Sequence, residues 1–253
     1  MLKSFYSGIS GLKVNQVKLD VLGNNIANAG TTAFKSSRVR FKDMVSQTSS
    51  ESVAPGTNQG GINPKQVGLG VQVAGIDSMV GQGSMQPTSR VLDVAIDGEG
   101  YLVVGSGDDT SYTRDGALNL DKNRALVNSD GLAVMGYKGT GTTLEALSIP
   151  DKIGTVKVNS FSIEKDGTIN AFLEDKSVSK VGRIAMASFE NPAGLSKVGG
   201  NLYQSTSNSG DAVLRLKTDN SEGYGDMRSQ MLEMSNVDLE IGRAHVWTPV
   251  TTM

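Results

Sequence analysis

The sequence contains no cysteine and only one histidine in 253 residues. Without cysteine there is no disulfide framework, no thiolate metal site and no thiol nucleophile. Histidine is the commonest general base and metal ligand, and His245 lies in a C-terminal segment that does not continue the patterns of the rest of the chain. We therefore expect no catalytic residue, no metal site and no cofactor.

Long apolar runs and an excess of positive charge are also missing. Nothing approaches the ~18 consecutive apolar residues of a membrane span, so we expect no direct membrane insertion. The first residues lack the apolar core and the small-residue cleavage site of a secretory signal, so export would have to proceed without a cleavable signal peptide. The formal net charge of −2 leaves no basic stripe for nucleic acid or a membrane surface.

Aromatic residues are scarce, at 5%, whereas glycine is frequent, with 31 residues. Between about 67 and 216, short segments alternate apolar and polar residues, and three Asp-Gly pairs (115–116, 130–131 and 166–167) separate some of them. Asp-Gly supplies the positive φ that tight hairpins need. We predict strands at 71–76, 91–96, 101–104, 112–113, 117–120, 125–127, 133–137, 160–163, 168–172 and 183–189. The expected fold class is mainly β with a terminal α-helix, as an all-β hairpin-rich meander or small barrel rather than a parallel sheet.

The first two dozen residues carry the pattern of a coiled-coil seam. Positions at alternating steps of three and four are mostly apolar: Leu2, Phe5, Ile9, Leu12, Gln16, Leu19, Gly23 and Ile26. So narrow a seam predicts a helix that packs on a partner helix, although packing on the chain's own domain is an alternative that periodicity leaves open. The apolar members form the predicted polymerisation interface: Leu2, Phe5, Ile9, Leu12, Leu19 and Ile26.

Composition divides the chain into five segments. We predict a polymerisation helix (1–30), an extended connector with a mobile loop (31–66), the all-β domain (67–216), a return segment with the start of a C-terminal helix (217–240) and a tail (241–253). Ser235 with Asp238 three positions on has the form of a helix N-cap. The tail contains Pro249 and no heptad, and it resembles a translated sequencing adapter, so we interpret it as an artefact that replaces the natural C-terminal helix.

Local motifs for chemistry are weak. Asp108 and Asp109 are adjacent carboxylates that directly follow the glycine-containing segment 105–107, which is typical of a solvated hairpin tip. Paired acid–base carboxylates instead need a cleft that separates their pKa values. The glycines at 68–75 do not have the spacing of a dinucleotide fingerprint. The segment from Asp121 begins like a calcium loop but lacks its glycine and its distal glutamate.

Several stretches instead carry a family resemblance. Leu2–Gly11, Leu19–Asn28, Thr31–Lys35, Asp93–Tyr101, Tyr112–Gly116, Asn201–Tyr203 and Glu233–Leu239 are similar to the bacterial flagellar hook and distal-rod proteins of the flagellar basal body. The most specific positions are Asn24, Asn25, Ala27, Asn28, Phe34, Lys35, Ser235, Asn236 and Val237.

The resemblance implies a structural subunit rather than an enzyme. Its N- and C-terminal helices would pair in an inner coiled-coil tube, and its β domain would lie outside. The implied partners are copies of itself in a helical tube, neighbouring rod, hook and hook-junction proteins, and the flagellar export apparatus. The implied location is the extracellular flagellum. Because the C-terminal helix is missing, we expect the chain as given to stay monomeric with a frayed N-terminus.

Alternatives remain within and outside this family. The segments 41–48 and 63–70 resemble compact hook proteins of Gram-positive bacteria and favour a hook subunit, which couples rod to filament for motility. The chain length also suits a distal-rod protein. A β-rich extracellular surface or carbohydrate-binding module would need an exposed aromatic platform, for which few residues are available. An enzyme is a third option, which the weak local motifs for chemistry disfavour.

Overall fold

A computed structural model describes residues 2–56, 60–106, 109–139, 141, 143–154, 156–215 and 224–238. The chain divides into two compact units. The first combines residues 1–27 with 36–79, and the second combines 28–35 with 80–253. These units differ from the predicted division at 31 and 67, because residues 36–79 pack with the N-terminal helix rather than linking it to a β domain.

The first unit consists of one helix and two strand pairs. Its elements are α1 (Leu2–Ala27), β1 (Ser37–Asp43), β2 (Ser46–Ser50), β3 (Lys65–Gly68) and β4 (Val71–Ser78). β1 pairs with β4, and β2 pairs with β3, both antiparallel. The segment predicted as a mobile loop is therefore, in its described part, a solvent-exposed antiparallel ribbon. Its polar composition explains the exposure, since few of its side chains favour burial.

Short strands fill the second unit. They are β5 (Met85–Pro87), β6 (Val94–Asp97), β7 (Tyr101–Ser106), β8 (Asp109–Thr113), β9 (Asn119–Leu120), β10 (Leu126–Val127), β11 (Ala133–Lys138), β12 (Glu145–Ala146), β13 (Lys152–Ile153), β14 (Val156–Ile163), β15 (Thr168–Leu173), β16 (Val178–Ile184), β17 (Met186–Ser188), β18 (Ser196–Gly199), β19 (Leu202–Gln204), β20 (Val213–Leu214), β21 (Asp226–Ser229) and β22 (Met231–Glu233). A 3₁₀ turn spans Pro192–Gly194.

The strands of the second unit form one large sheet and two separate pairs. Along the main path of the sheet the order is β13-β14-β15-β16-β11-β7-β8-β19-β18, with β9, β10, β12, β17 and β20 attached beside it. β21 pairs with β6, and β22 pairs with β5. Every strand pair in the described part of the chain is antiparallel. Strands dominate the described residues and α1 is the N-terminal helix, which confirms the mainly β fold class with a terminal helix.

Glycine serves the hairpins in two different ways. Gly131 and Gly167 have φ of 81° and 83°, as predicted for Asp-Gly turns. Gly116 is not among the residues with positive φ, so the same prediction is wrong there. At this position the carbonyl of Val94 occupies the space of a Cβ, and the Gly116 carbonyl accepts a hydrogen bond from the Val94 N–H. Close backbone approach, rather than turn conformation, requires this glycine.

Among the described residues, the core of the second unit contains two apolar clusters. One is aliphatic and is centred on residues such as Leu102, Leu118 and Ile169. The other is aromatic, and its rings meet edge to face: Tyr101 lies 5.8 Å from Phe189 and 5.6 Å from Tyr203 between ring centroids. Five of the thirteen aromatic residues thus share this cluster, where their large buried surface contributes to the core.

Predictions about the remaining segments have separate outcomes. Asp109 is exposed in the β7–β8 hairpin, opposite Ser106, while Asp108 lies outside the described residues. Residues 216–223 and 239–253, which include the last two residues of the predicted start of the C-terminal helix and the whole tail, also lie outside them. In the described part of the chain, no helix has the length and apolarity needed to cross a membrane.

Candidate functional site: the terminal motifs

The residues of the predicted interface form an exposed stripe on α1. Phe5, Leu12, Leu19 and Ile26, spaced seven residues apart, are 66%, 73%, 67% and 63% exposed. Ile9 is half-buried, and Leu2 begins α1 but its side chain lies outside the described residues. We call Phe5, Leu12, Leu19 and Ile26 the helix stripe. Large apolar side chains left in water at a heptad spacing are the pattern of a surface that packs on another helix.

The opposite face of α1 packs within its own unit. Val14 and Asn25 are each 8% exposed, and the helix contacts β1 and β4. Periodicity left open that α1 packs on the chain's own domain. The face with Val14 and Asn25 does so, whereas the helix stripe does not. Residues on the same face of a helix are three or four positions apart. Val14 is two positions from Leu12, so the two side chains face different directions.

Motif residues after α1 belong to the second unit, where they meet the C-terminal motif. The Ala33 N–H donates to the Glu233 carbonyl at 2.8 Å, and the Asn236 N–H donates to the Phe34 carbonyl at 3.2 Å. The Asn236 side chain donates to the Gly81 carbonyl at 2.9 Å. The segments by which the chain enters and leaves this unit are therefore held side by side.

A buried charge cluster lies beneath this junction. The Lys35 ammonium donates to Glu233 Oε1 at 2.6 Å and to the Gly81 carbonyl at 2.9 Å. Arg114 Nη1 lies 3.4 Å from both oxygens of Glu233, and the Gly83 N–H donates to Oε1 at 2.8 Å. The side chains of Lys35, Arg114 and Glu233 are 1%, 5% and 0% exposed.

Additional polar contacts satisfy the two cations of this cluster. Arg114 donates to the carbonyls of Gly100 at 3.0 Å and Gly98 at 2.6 Å, and its guanidinium lies 5.4 Å from the centroid of the Tyr101 ring. Burial lowers the pKa of Lys35, while its hydrogen bond to Glu233 acts in the opposite direction. One carboxylate thus serves two buried cations, so loss of Glu233 would leave both without a counter-charge.

Polar contacts also fix the first part of the entering segment. Asn201 Nδ2 donates to the Thr32 carbonyl at 3.0 Å, and Thr32 Oγ1 donates to Asp115 Oδ1 at 3.1 Å. Thr31 donates from its hydroxyl to Asn28 Oδ1 at 3.2 Å. Burial raises the pKa of Asp115, and the carboxylates of Asp130 and Asp93 act in the same direction.

Phe34 is held by a cation. Lys197 Nζ lies 5.1 Å from the centroid of the Phe34 ring and donates to the Lys35 carbonyl at 2.7 Å. Burial lowers the pKa of Lys197. Within the Thr-Thr-Ala-Phe-Lys motif, Thr32, Phe34 and Lys35 are thus each contacted by side chains from distant parts of the second unit, as expected of a motif that organises structure.

The other motif residues have different surroundings. Asn24 and Ala27 are exposed on the last turn of α1, whereas the neighbouring Asn25 is buried. Ser235 Oγ accepts a hydrogen bond from the Val237 N–H at 3.2 Å, which is the bond an N-cap residue makes.

Residues 236–238, where the predicted C-terminal helix should begin, are not helical, so the prediction is wrong there. Asn236 instead bonds to the carbonyls of Phe34 and Gly81. Residues 239–240 lie outside the described residues.

Sequence reasoning missed the residues that hold the motifs. Glu233 and Arg114 lie inside stretches that carried the family resemblance, but no local pattern predicts that they meet Lys35, from which they are separated by 198 and 79 positions in the chain. In the described residues, no group of three or more His, Cys, Asp or Glu side chains could hold a metal ion.

Comparison with known proteins gives matches along most of the chain. A family model described as flagella basal body rod protein matches residues 5–35, and one described as flagellar hook protein FlgE/F/G D1 domain matches residues 95–171. The flagellar basal-body rod protein FlgG of Bacillus subtilis is 44% identical, over 94% of this chain and 86% of that protein. FlgG of Borreliella burgdorferi is 34% identical over the same shares. The flagellar hook protein FlgE of Borreliella burgdorferi is 42% identical, over 61% of this chain and 38% of that protein.

Proposed function

This chain belongs to the family of flagellar hook and basal-body rod proteins, and from that premise we propose that it is a structural subunit of the flagellar rod that works by polymerising. The observation that supports the rod is the extent of similarity. The rod protein of Bacillus subtilis is matched over 86% of its length, whereas the hook protein of Borreliella burgdorferi is matched over 38%. The sequence patterns at 41–48 and 63–70 favour the hook, but the extent of similarity favours the distal-rod alternative.

The helix stripe is the contact surface in this proposal. Its four large apolar side chains are more than half exposed in the single chain, and burying such a side chain fully contributes about 1.5–3 kcal/mol. A contact of this kind between different surfaces of successive copies does not close on itself, so it extends into a helical polymer. The partners that we propose are copies of the same chain and neighbouring rod, hook and hook-junction proteins.

The buried charge cluster has a supporting role in this proposal. By joining Lys35 to Glu233, it holds the segment that follows α1 beside the segment that leads to the C-terminus. Both terminal segments then start from one place on the second unit. This arrangement suits a subunit whose two ends contribute to the same inner layer of a tube.

A hook subunit is the second candidate. The segments 41–48 and 63–70, which resemble Gram-positive hook proteins, and the 42% identity to a hook protein over 61% of this chain favour it. For either assignment we propose export through the flagellar apparatus without a cleavable signal peptide and a place in the extracellular axial structure. A carbohydrate-binding role is not supported, because five of the six tyrosines are buried: Tyr101, Tyr112, Tyr137, Tyr203 and Tyr224.

Deletion of the gene that encodes this chain, in the bacterium that carries it, distinguishes a rod subunit from a hook subunit. Electron microscopy of purified basal bodies should show particles that lack the distal rod and everything attached beyond it. Particles with a complete rod and no hook would overturn the rod proposal in favour of the hook. Complete flagella in the deleted strain would overturn both. Restoring the gene should restore the wild-type particles.

A further inference from the structure

Asn25, a motif residue without an assigned role, is bound to the strand that follows it. Its side-chain amide donates from Nδ2 to the Ser37 carbonyl at 2.8 Å, and its Oδ1 accepts from the Ser37 N–H at 3.0 Å. The amide therefore occupies both backbone groups of one residue, as a neighbouring strand would. The side chain is buried, so water does not compete for these bonds.

A second polar contact lies near the other end of the helix. Ser10 Oγ donates to the Ser7 carbonyl at 2.8 Å and accepts from the Val71 N–H at 3.3 Å. Gly70 makes this approach possible, because a Cβ built on it would overlap Ser10 Oγ, and its φ of +132° is one that other residues rarely adopt. Ser10 thus contacts the first residue of β4, while Asn25 contacts the first residue of β1.

The two contacts lie at opposite ends of the same strand pair. In the β1–β4 register Ser37 is opposite Ser78 and Val71 is opposite Asp43, so the starts of the two strands are far apart. The fifteen positions from Ser10 to Asn25 span about 22 Å of helix, and a seven-residue strand spans about 23 Å. Helix and strand pair are therefore matched in length, with one polar contact at each end.

We propose that Asn25 and Ser10 are positioning residues that hold α1 on the β1–β4 pair at a single rotation, so that the helix stripe faces a second copy of the chain. The inference rests on the proposed function for the identity of the partner, but not for the positioning itself. A single contact would let the helix pivot or roll. Two contacts separated by most of its length fix both its direction and its rotation.

Thiol labelling tests the positioning directly, because the chain contains no cysteine of its own. Val14→Cys places a thiol on the packed face, and Leu19→Cys places one on the helix stripe. In the otherwise unchanged protein, a maleimide should label the thiol at position 14 slowly and the thiol at position 19 rapidly. Adding Asn25→Ala removes two hydrogen bonds and should accelerate labelling at position 14 on the order of tenfold. Asn25→Asp should act in the same direction, because the carboxylate cannot donate to the Ser37 carbonyl.

Asn15→Ala is the matched control, since Asn15 is an exposed asparagine of the same helix. It should leave the labelling rate at position 14 unchanged. Equal labelling at that position with and without Asn25→Ala would overturn the proposal. Far-ultraviolet circular dichroism of the Asn25→Ala protein separates rotation from unfolding: retained helicity with faster labelling supports positioning, whereas parallel loss of helicity overturns it.

The outcome is independent of whether the chain polymerises. Labelling is measured on the dilute, single chain, so a failed rod assignment leaves the result unaffected. If Asn25 fixes the rotation of α1 and the chain is a rod subunit, the Asn25→Ala protein should be incorporated into basal bodies at least about tenfold less than the Asn15→Ala protein. Normal incorporation together with faster labelling at position 14 would overturn the link between helix rotation and assembly.

Discussion

At the scale of single residues, Glu233 has the greatest predicted importance in the second unit. Its carboxylate is fully buried between Lys35 and Arg114. Glu233→Gln keeps the size of the side chain but leaves two buried cations without a counter-charge, which should lower the free energy of unfolding by about 3–5 kcal/mol. Urea unfolding monitored by tyrosine fluorescence measures the change.

A matched control exists for this substitution. Asp97 pairs with Arg228 on the surface, where the two side chains are 38% and 51% exposed. Asp97→Asn should change the free energy of unfolding by less than about 1 kcal/mol, because exposed ion pairs contribute little. If Glu233→Gln is no more destabilising than Asp97→Asn, the charge cluster does not stabilise the fold.

Asp115 gives a prediction about pH. Burial raises its pKa in the folded chain above the ordinary value of 3.8, and the carboxylates of Asp130 and Asp93 add to the shift. The folded state then binds more protons than the unfolded state between 3.8 and the raised pKa, so the contribution of Asp115 to stability falls as pH rises through this window. Asp115→Asn should remove that contribution while keeping an oxygen that accepts from Thr32 and Ala117.

Unfolding curves of the two proteins across pH measure this effect. The difference in stability between wild type and Asp115→Asn should favour the wild type most at the acid end and shift toward the variant as pH rises above 3.8. A difference that stays constant over the whole window would show that Asp115 titrates normally in the folded chain.

At the scale of elements, the packing of α1 on β4 depends on one glycine. Gly70→Ala places a methyl group against Ser10 and forces a φ of +132° on a residue with a Cβ. We expect a loss of about 1–3 kcal/mol in the first unit, because such backbone strain has this cost. Limited proteolysis of α1, followed by mass spectrometry, should show faster cleavage.

Two residues away lies a suitable comparison. Gly68 has no positive φ, and a Cβ built there would meet only Ser46 Oγ at 3.8 Å, an ordinary contact. Gly68→Ala should therefore leave proteolysis of α1 at the wild-type rate. Equal rates for the two alanine variants would mean that the close approach of Ser10 to Gly70 does not hold the helix.

At the scale of the whole molecule, the helix stripe should matter for assembly and not for the fold. Leu12→Glu combined with Leu19→Glu puts charge at two positions that are 73% and 67% exposed. Exposed substitutions usually change stability by less than about 0.5 kcal/mol each, so the melting temperature of the single chain should hardly move. Motility and basal-body formation should be lost, because a charge buried against a partner helix is costly.

Lys13→Glu controls for added negative charge at an exposed position of the same helix outside the stripe. Cells that carry it should remain motile. Motile cells with the double stripe variant would show that α1 does not assemble through these residues. A large fall in the melting temperature of the double variant would instead show that the stripe packs within the single chain.

The sequence by itself was sufficient for features that repeat locally. Heptad spacing predicted α1, and two of three Asp-Gly pairs have the predicted positive φ. Alternation predicted about half of the strands of the second unit, and it missed β5, β12, β13, β18, β19, β20, β21 and β22. Motif spacing predicted the family, and the comparisons confirm it. These features are local because helix and strand periodicities depend only on which neighbours along the chain share a face.

Only the tertiary structure decided which distant residues meet. Nothing near Lys35 indicates Glu233 or Arg114, and nothing near Asn25 or Ser10 indicates that Ser37 and Val71 would bind them. The predicted domain bounds differ from the two units for the same reason. Residues 36–79 belong to the first unit because β1 pairs with β4, although a long segment separates the two strands in the chain. Such contacts depend on the path of the whole chain, because hydrogen-bonding groups are common to nearly every residue and become specific only when folding brings two of them together.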